Sequence, residues 1–288
     1  MDQRIFDLYD EYTHAPLERR VFLERLATLT GSVAAAMAVL PLLENRAVAA
    51  VVKPDDPRVM SAIVDIPGQS GVVKGYRVRP AGTQKKLPAI AVIHENRGLS
   101  DHIQDVARRF AVAGYLAVAP DFLSPAGGTP SDEDQARELI SKLDPIATVA
   151  NAVAAVAHLR LDPDGNGKVG AVGFCWGGGL TNRLAVSDPT LDAAVVYYGP
   201  TPEPAEAAKI KAPLLLHYAG LDKRIDDGIP DFKAALDKAG VSYQIYMYEG
   251  VNHAFNNDTS AERYNAEAAK LAWERTLAFL AEKLKATG

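Results

Sequence analysis

The octapeptide VGFCWGGG, residues 172–179, holds the only cysteine of the chain, Cys175, between a short apolar run and three glycines. Residues 173–177 have the form G-x-C-x-G. In the G-x-S-x-G version of this pattern, the central residue lies on a sharp turn from a strand into a helix, where small neighbours relieve crowding. The stretch therefore predicts a strand ending at Phe174, a helix beginning near Gly177, and a thiol that projects from the turn. The alternative is a cysteine that only fills the core, since free cysteine is among the most buried residue types.

Strand and helix patterns alternate on both sides of this turn. From about Val59, β-rich apolar runs alternate with helical patterns, which is typical of a mostly parallel sheet covered by helices on both faces. The first two strands leave no room for a crossover helix, so we expect them to form a hairpin at one end of the sheet, and the strands after Pro88 to be parallel. The predicted strands are 59–66, 72–79, 88–94, 115–120, 168–174, 193–198, 213–218 and 242–248, and the predicted helices are 103–113, 132–143, 146–159, 177–187, 229–238 and 261–285.

Composition limits the classes of protein to consider. The chain has 288 residues, of which 48% are hydrophobic and 23% charged, and this balance is that of an ordinary globular protein with one main domain, here 51–288. The formal net charge of −5, without a basic cluster, argues against a nucleic-acid partner. A single cysteine forms no disulfide within the chain, so the fold depends on burial alone.

The amino-terminal segment, residues 1–50, has two interpretations. The Arg19–Arg20 pair, the uncharged run 26–43 and a possible cleavage site at 47–50 resemble a twin-arginine export signal, which would make the protein periplasmic. The run is long enough to span a membrane, but its small and polar residues make a stable span unexpected. The alternative is a retained amphipathic helix, opening at Pro16 and packed on the body of a cytoplasmic protein.

Two further residues complete a candidate catalytic triad. Asp222 follows the predicted strand 213–218, and His253 follows the predicted strand 242–248. The chain order of nucleophile, acid and histidine, with the last two on loops at strand ends, is that of an α/β hydrolase. In such a triad the histidine takes the proton of the nucleophile, and the acid fixes the imidazole tautomer. Asp226 and Asp227 are weaker candidates for the acid because they lie farther from the strand end, and other histidines, such as His158 in a helix and His217 in a strand, are less favourably placed.

With HEN at 94–96, GFCWGGG at 173–179, Asp222, and NHAF at 252–255, the chain resembles the dienelactone hydrolase family of α/β hydrolases over roughly residues 59–285. The resemblance implies an α/β-hydrolase fold with a central sheet of about eight strands and a Cys175–His253–Asp222 triad. It also implies that Glu95 holds the resting thiol and helps to deprotonate it when substrate enters. The backbone amides of Trp176 and Asn96 would form the oxyanion hole. The expected reaction is hydrolysis of a small ester or lactone through an acyl-cysteine, with no metal and no organic cofactor.

The chain departs from the family at the positions that bind the substrate's carboxylate. Founding members grip that group with two arginines, and the corresponding positions here are Pro125 and Asn257. We therefore expect dienelactone itself to be a poor substrate, and a neutral or differently charged ester or lactone to be preferred. Arg97 and Arg224, and also Arg263, are candidates to replace the missing pair from another direction.

Two other functions compete with hydrolysis. A catalytically silent binding or regulatory protein could keep the same fold, because fold does not establish activity. A redox-active thiol protein is weakly supported, since Cys175 has no second cysteine to resolve an oxidised form. The sequence leaves the natural substrate and the oligomeric state open.

Overall fold

The computed structural model of the chain describes residues 1–14, 17–44 and 50–285. Within them, eight strands form one sheet in the order β1-β2-β4-β3-β5-β6-β7-β8. The strands are β1 (Val59–Gly68), β2 (Gly71–Pro80), β3 (Leu87–Ile93), β4 (Leu116–Asp121), β5 (Gly165–Phe174), β6 (Ala193–Tyr197), β7 (Leu214–Ala219) and β8 (Tyr243–Tyr248). The helices are α1 (Gln3–His14), α2 (Arg19–Thr30), α3 (Val33–Leu43), α4 (Asp101–Val112), α5 (Glu133–Ser141), α6 (Pro145–Arg160), α7 (Trp176–Ser187), α8 (Lys223–Asp226), α9 (Ile229–Ala239) and α10 (Ala266–Leu284).

The sheet confirms the predicted fold class. Strands β3 to β8 are parallel, while β1 pairs with β2 in an antiparallel hairpin at the edge, and β2 runs antiparallel to β4. Strand β3 lies between β4 and β5. The strand order therefore reverses at β3: the next strand along the chain, β4, lies on one side of it, and the strand after that, β5, lies on the other. Ligands of open α/β sheets bind at the carboxyl ends of strands at such a switch point.

Helices cover both faces of the sheet, and strand β3 shows why. All seven of its residues, LPAIAVI, are buried. Ala89, Ala91 and Ile93 belong to the apolar cluster with α6, α7 and α9, whereas Ile90 and Val92 belong to the cluster with α4 and α10. A strand buried on both faces is apolar throughout, because successive side chains point to opposite sides.

Two helical predictions needed correction. The last helix begins at Ala266 and not at 261, because the side chain of Asn265 accepts a hydrogen bond from the backbone N–H of Ala268 and caps the helix there. In place of one amphipathic helix opening at Pro16, the amino-terminal segment has three helices; Pro16 itself and residues 47–49 of the predicted cleavage site lie outside the described residues.

The three amino-terminal helices, which we call the arm, fold around an apolar cluster of their own. Its buried members come only from the arm, and include Tyr12 stacked on Phe22 with ring centroids 4.2 Å apart. Gly31, in the left-handed region with φ of 84°, ends α2, and α3 leaves at 110° to it. No single helix of the described residues is long and apolar enough to cross a membrane; two bent pairs, α2 with α3 and α5 with α6, reach that length and composition together.

The glycines of the octapeptide allow α7 to approach the sheet closely. A Cβ atom on Gly173 would lie 2.1 Å from the carbonyl oxygen of Gly177, and one on Gly177 would lie 2.3 Å from the carbonyl oxygen of His94. One on Gly178 would lie 2.8 Å from the carbonyl oxygen of Tyr197. All three obstacles are backbone atoms, so no side-chain rotation relieves them. These positions therefore exclude every residue larger than glycine.

We predict that Gly177→Ala lowers the free energy of unfolding by at least ~2 kcal/mol, because the added methyl overpacks a contact between two backbones. Chemical denaturation measures this. Gly82→Ala is the control: Gly82 has φ of 69° but open space around it, so its cost is about 1 kcal/mol of backbone strain. If the two substitutions lowered the free energy of unfolding equally, the close approach of α7 to the sheet would not be what requires glycine at position 177.

Candidate active site

Cys175 lies at the turn between β5 and α7 with φ of 56° and ψ of −117°. A residue other than glycine rarely adopts positive φ, and holding it there costs of order 1–3 kcal/mol. The backbone N–H of Cys175 donates to the carbonyl oxygen of Tyr197 at 3.0 Å, which ties the turn to β6. The predicted strand, turn and helix are all present, and the thiol stands at the carboxyl end of the central strand.

Asp222 and His253 meet beside this turn. Asp222 follows β7, His253 follows β8, and His253 Nδ1 lies 2.5 Å from Asp222 Oδ2. Both side chains are buried. Burial by itself lowers the pKa of His253, but the Asp222 carboxylate and the Cys175 sulfur outweigh it and raise that pKa to about 10. Burial raises the pKa of Asp222, but the charge of His253 outweighs it, so that this pKa is lowered.

A histidine that the sequence reasoning missed lies against the sulfur. His14, the last residue of α1, has its Nε2 atom 2.9 Å from Cys175 Sγ. A ring nitrogen of His14, a ring nitrogen of His253 and the sulfur all lie within 4.8 Å of one another. Helix α1 was not predicted, although Ile5, Tyr9 and Tyr12 repeat at helical spacing and would have indicated it. No sequence signal connects His14 to a cysteine 161 positions away.

Glu95, after β3, lines the same cavity as Cys175. Its Oε2 atom accepts a hydrogen bond from Asn257 Nδ2 at 2.7 Å, and its Oε1 atom is buried without a hydrogen-bond partner among the described residues. Asn257 stands where the family's second arginine was expected, so an amide holds the carboxylate in this chain. The hydrogen bonds of the described residues include none between Glu95 and the thiol, whose sulfur is instead contacted by His14 Nε2.

The two predicted oxyanion amides follow neighbouring strands. Trp176 begins α7 after β5, and Asn96 follows β3, which pairs with β5 in parallel up to Ile93 and Gly173. The N–H groups of a first helical turn have no partner within the helix, which leaves that of Trp176 available to an anion. The indole of Trp176 stacks on His94 at 5.2 Å, and the side chain of Asn96 donates to the carbonyl oxygen of Thr13 at 2.6 Å.

Of the three arginine candidates, two line the cavity. Arg97 and Arg263 are buried and form part of its wall, whereas Arg224 is exposed and does not line it. Arg97 donates to the hydroxyl of Tyr9 at 2.7 Å, and Arg263 lies 3.7 Å from a carboxylate oxygen of Asp10. Both arginines therefore contact the arm in this structure.

The arm closes the site. Thr13 and His14 complete the wall of a cavity of about 10 Å³, which leaves room for about one water molecule and none for a substrate. Polar contacts join the arm to the body, among them Arg137 to the carbonyl oxygen of Tyr12 at 3.0 Å and Arg19 to Asp134, while the arm's buried apolar residues form a cluster of their own. A substrate can reach Cys175 only if the arm moves.

We predict that Asp134→Ala raises the rate at which a thiol reagent labels Cys175 about fivefold. Asp134 accepts from the hydroxyl of Tyr12 at 3.1 Å and pairs with Arg19, and losing these partly exposed contacts weakens arm docking by about 1 kcal/mol. Asp65→Ala, which breaks the exposed pair with Lys74 elsewhere, is the control. An unchanged rate in Asp134→Ala would show that these contacts do not hold the arm.

Known proteins resemble the chain in both sequence and fold. A family model described as the dienelactone hydrolase family matches residues 73–284, and one described as YqhI-like matches residues 1–32. A carboxymethylenebutenolidase of Escherichia coli O157:H7 is 31% identical over 242 residues, covering 79% of this chain and 89% of that protein. One of Saccharolobus solfataricus is 37% identical over 228 residues, covering 67% and 88%. The crystal structure of a dienelactone hydrolase from Klebsiella pneumoniae is 31% identical, with a TM-score of 0.70 over 78% of this chain and 99% of that one. The chain therefore belongs to the dienelactone hydrolase family of α/β hydrolases.

Proposed function

We propose that this hydrolase cleaves a small ester or lactone through an acyl-cysteine, with Cys175 as nucleophile, His253 as acid and base, and Asp222 as the residue that orients the imidazole. The observation that carries the proposal is the short His253–Asp222 hydrogen bond beside a cysteine held at positive φ on the turn. A carboxylate only accepts hydrogen bonds, so His253 Nδ1 bears a proton and its Nε2 is the nitrogen left for the sulfur.

The chemistry follows from these positions. The raised pKa of His253 suits its imidazole to take the thiol proton, and the thiolate that results attacks the acyl carbon. The amides of Trp176 and Asn96 bind the oxyanion, and the leaving alkoxide takes the proton of His253 Nε2 as the tetrahedral intermediate collapses. His253 then deprotonates a water molecule that attacks the thioester, and release of the carboxylic acid restores the thiol.

Glu95 has a supporting role in this scheme. Its free oxygen, Oε1, belongs to a residue of the cavity wall and has no competing hydrogen bond among the described residues, so it can accept a hydrogen bond from the thiol when the arm leaves the sulfur and assist transfer of the proton to His253. Asn257 keeps the other oxygen in place at 2.7 Å. The role that the family resemblance implied for Glu95 is thus kept as part of the proposal.

Arg97 and Arg263 make an acidic ester or lactone the favoured substrate class. Both guanidinium groups line the cavity, and Asp10 of the arm already brings a carboxylate within 3.7 Å of Arg263. A substrate anion can take that place once the arm has moved, because arginine binds carboxylates with paired hydrogen bonds. The anion would lie elsewhere than in the founding members, whose arginine positions are Pro125 and Asn257 here.

We predict that Cys175→Ala and His253→Ala each lower kcat on short acyl esters by at least ~10³, because nucleophile and base act as one unit. His158→Ala, a histidine of α6 away from the site, is the matched control and keeps wild-type turnover. Steady-state assays and mass spectrometry of a trapped acyl-enzyme measure these effects. Turnover that persists in both variants would contradict the proposed triad. A wild-type protein that hydrolyses none of the esters tested would favour the alternative of a catalytically silent binding protein.

We predict that Arg263→Gln raises KM at least ~10-fold for an ester with an acidic acyl group, and leaves KM for its neutral methylated analogue within about twofold. The reason is that glutamine keeps a polar hydrogen-bonding group but removes the positive charge. Dienelactone, included in the same panel, is expected to be hydrolysed less efficiently than the preferred acidic ester. Equal changes for the charged and neutral esters would contradict a role in binding the anion.

A further inference from the structure

We propose that His14, Cys175 and His253 form a binding site for a zinc ion, with the Nε2 atoms of the two histidines and the sulfur as ligands. The three ligand atoms lie within 4.8 Å of one another, and Cys175 and His253 are buried. One ligand comes from the arm and two from the hydrolase body, so the site exists only when the arm is docked.

The tautomer of His14 leaves a lone pair directed at the sulfur. Its Nδ1 atom lies 2.9 Å from the carbonyl oxygen of Asp10, which can only accept, so Nδ1 carries the proton. The hydroxyl of Thr13 also lies 2.9 Å from Nδ1, and it donates its own hydrogen to the carbonyl oxygen of Tyr9 at 3.0 Å. Nε2 of the neutral ring is therefore unprotonated, 2.9 Å from Cys175 Sγ. Two electron-rich atoms this close require a proton or a metal ion between them.

His253 is held in the same way. Asp222 engages its Nδ1 atom at 2.5 Å, and its Nε2 atom is buried without a hydrogen-bond partner among the described residues. Histidines that bind metals almost always donate their second ring N–H to a carbonyl or carboxylate, which fixes the ring orientation. Asp10 provides the carbonyl for His14, and Asp222 provides the carboxylate for His253.

The donor set suits zinc. One thiolate and two imidazoles are ligands that Zn²⁺ prefers, and three protein ligands leave a fourth tetrahedral position open. Zn–S of about 2.3 Å and Zn–N of about 2.0 Å place tetrahedral ligand atoms roughly 3.3–3.6 Å apart. The structure has one pair at 2.9 Å and none beyond 4.8 Å, so small side-chain shifts reach that geometry.

The charged side chains in the cavity wall have opposite effects on the binding of a cation. Glu95 lines the cavity and has an unpartnered oxygen, whereas Arg97 and Arg263 line it with positive charge. The arginines are in contact with Glu133, Tyr9 and Asp10. Zinc bound here would occupy the sulfur and the imidazole that hydrolysis uses and would fix the arm in place. Inhibition by zinc therefore rests on the proposed function, whereas binding of the metal does not.

Cobalt(II) added to the metal-free full-length protein tests the site, because it substitutes for zinc and absorbs visible light. We expect a thiolate-to-cobalt charge-transfer band and the strong d–d bands of tetrahedral cobalt, both abolished by zinc. Cys175→Ser should lose the charge-transfer band. His14→Ala and His14→Gln should weaken binding at least ~10-fold, since removing even a residue that only orients a ligand costs that much. His158→Ala is the control and should bind as wild type.

Cobalt binding is measured without any assay of hydrolysis. Circular dichroism establishes that each variant is folded, and the glutamine variant retains the size of the side chain if alanine disturbs α1. Cobalt binding without a charge-transfer band, or with equal affinity in wild type and both folded His14 variants, would overturn the proposal. A protein that binds cobalt as expected but hydrolyses no ester would leave this site in place and remove only the proposed function.

Discussion

The whole site depends on one strained turn. Cys175 is held at φ of 56° because α7 begins immediately after β5 and presses against the sheet, and glycines at 173, 177 and 178 are the residues that permit this approach. The free-energy cost of this backbone conformation is small compared with the stabilisation from burial of the surrounding strands, which are covered on both faces. Moving the turn would shift the sulfur relative to His253, the amide of Trp176 and the carboxylate of Glu95 together.

The arm is the second element that decides what the molecule can do. Its buried apolar cluster is drawn from the arm alone, and hydrogen bonds from Asn96 to Thr13 and from Arg137 to Tyr12 join it to the body. In the docked state the arm closes the cavity at Cys175, places His14 against the sulfur and contacts Arg97 and Arg263. Export with cleavage at 47–50 stays a prediction, and such cleavage would remove His14 together with the whole arm.

Much of the site was within reach of sequence reasoning, because its residues stand at positions that the topology defines. Cys175, Asp222 and His253 each follow a strand, and strands with apolar runs and short loops are recognisable one at a time. The exchange of an arginine for Asn257 was visible, but its hydrogen bond to Glu95 was not. That contact joins loops after β3 and β8, and residue type alone gives no indication of it.

The sequence by itself determined the alternation of strands and helices, the parallel sheet, the turn and the chain order of the three candidate catalytic residues, because local patterns of apolar residues and glycines encode each of them. Only the tertiary structure decided that helix α1 reaches the sulfur, that Arg97 and Arg263 and not Arg224 line the cavity, and that the site is closed. These are contacts between segments far apart in the chain, and they depend on how polar surfaces match once the arm and the body have folded.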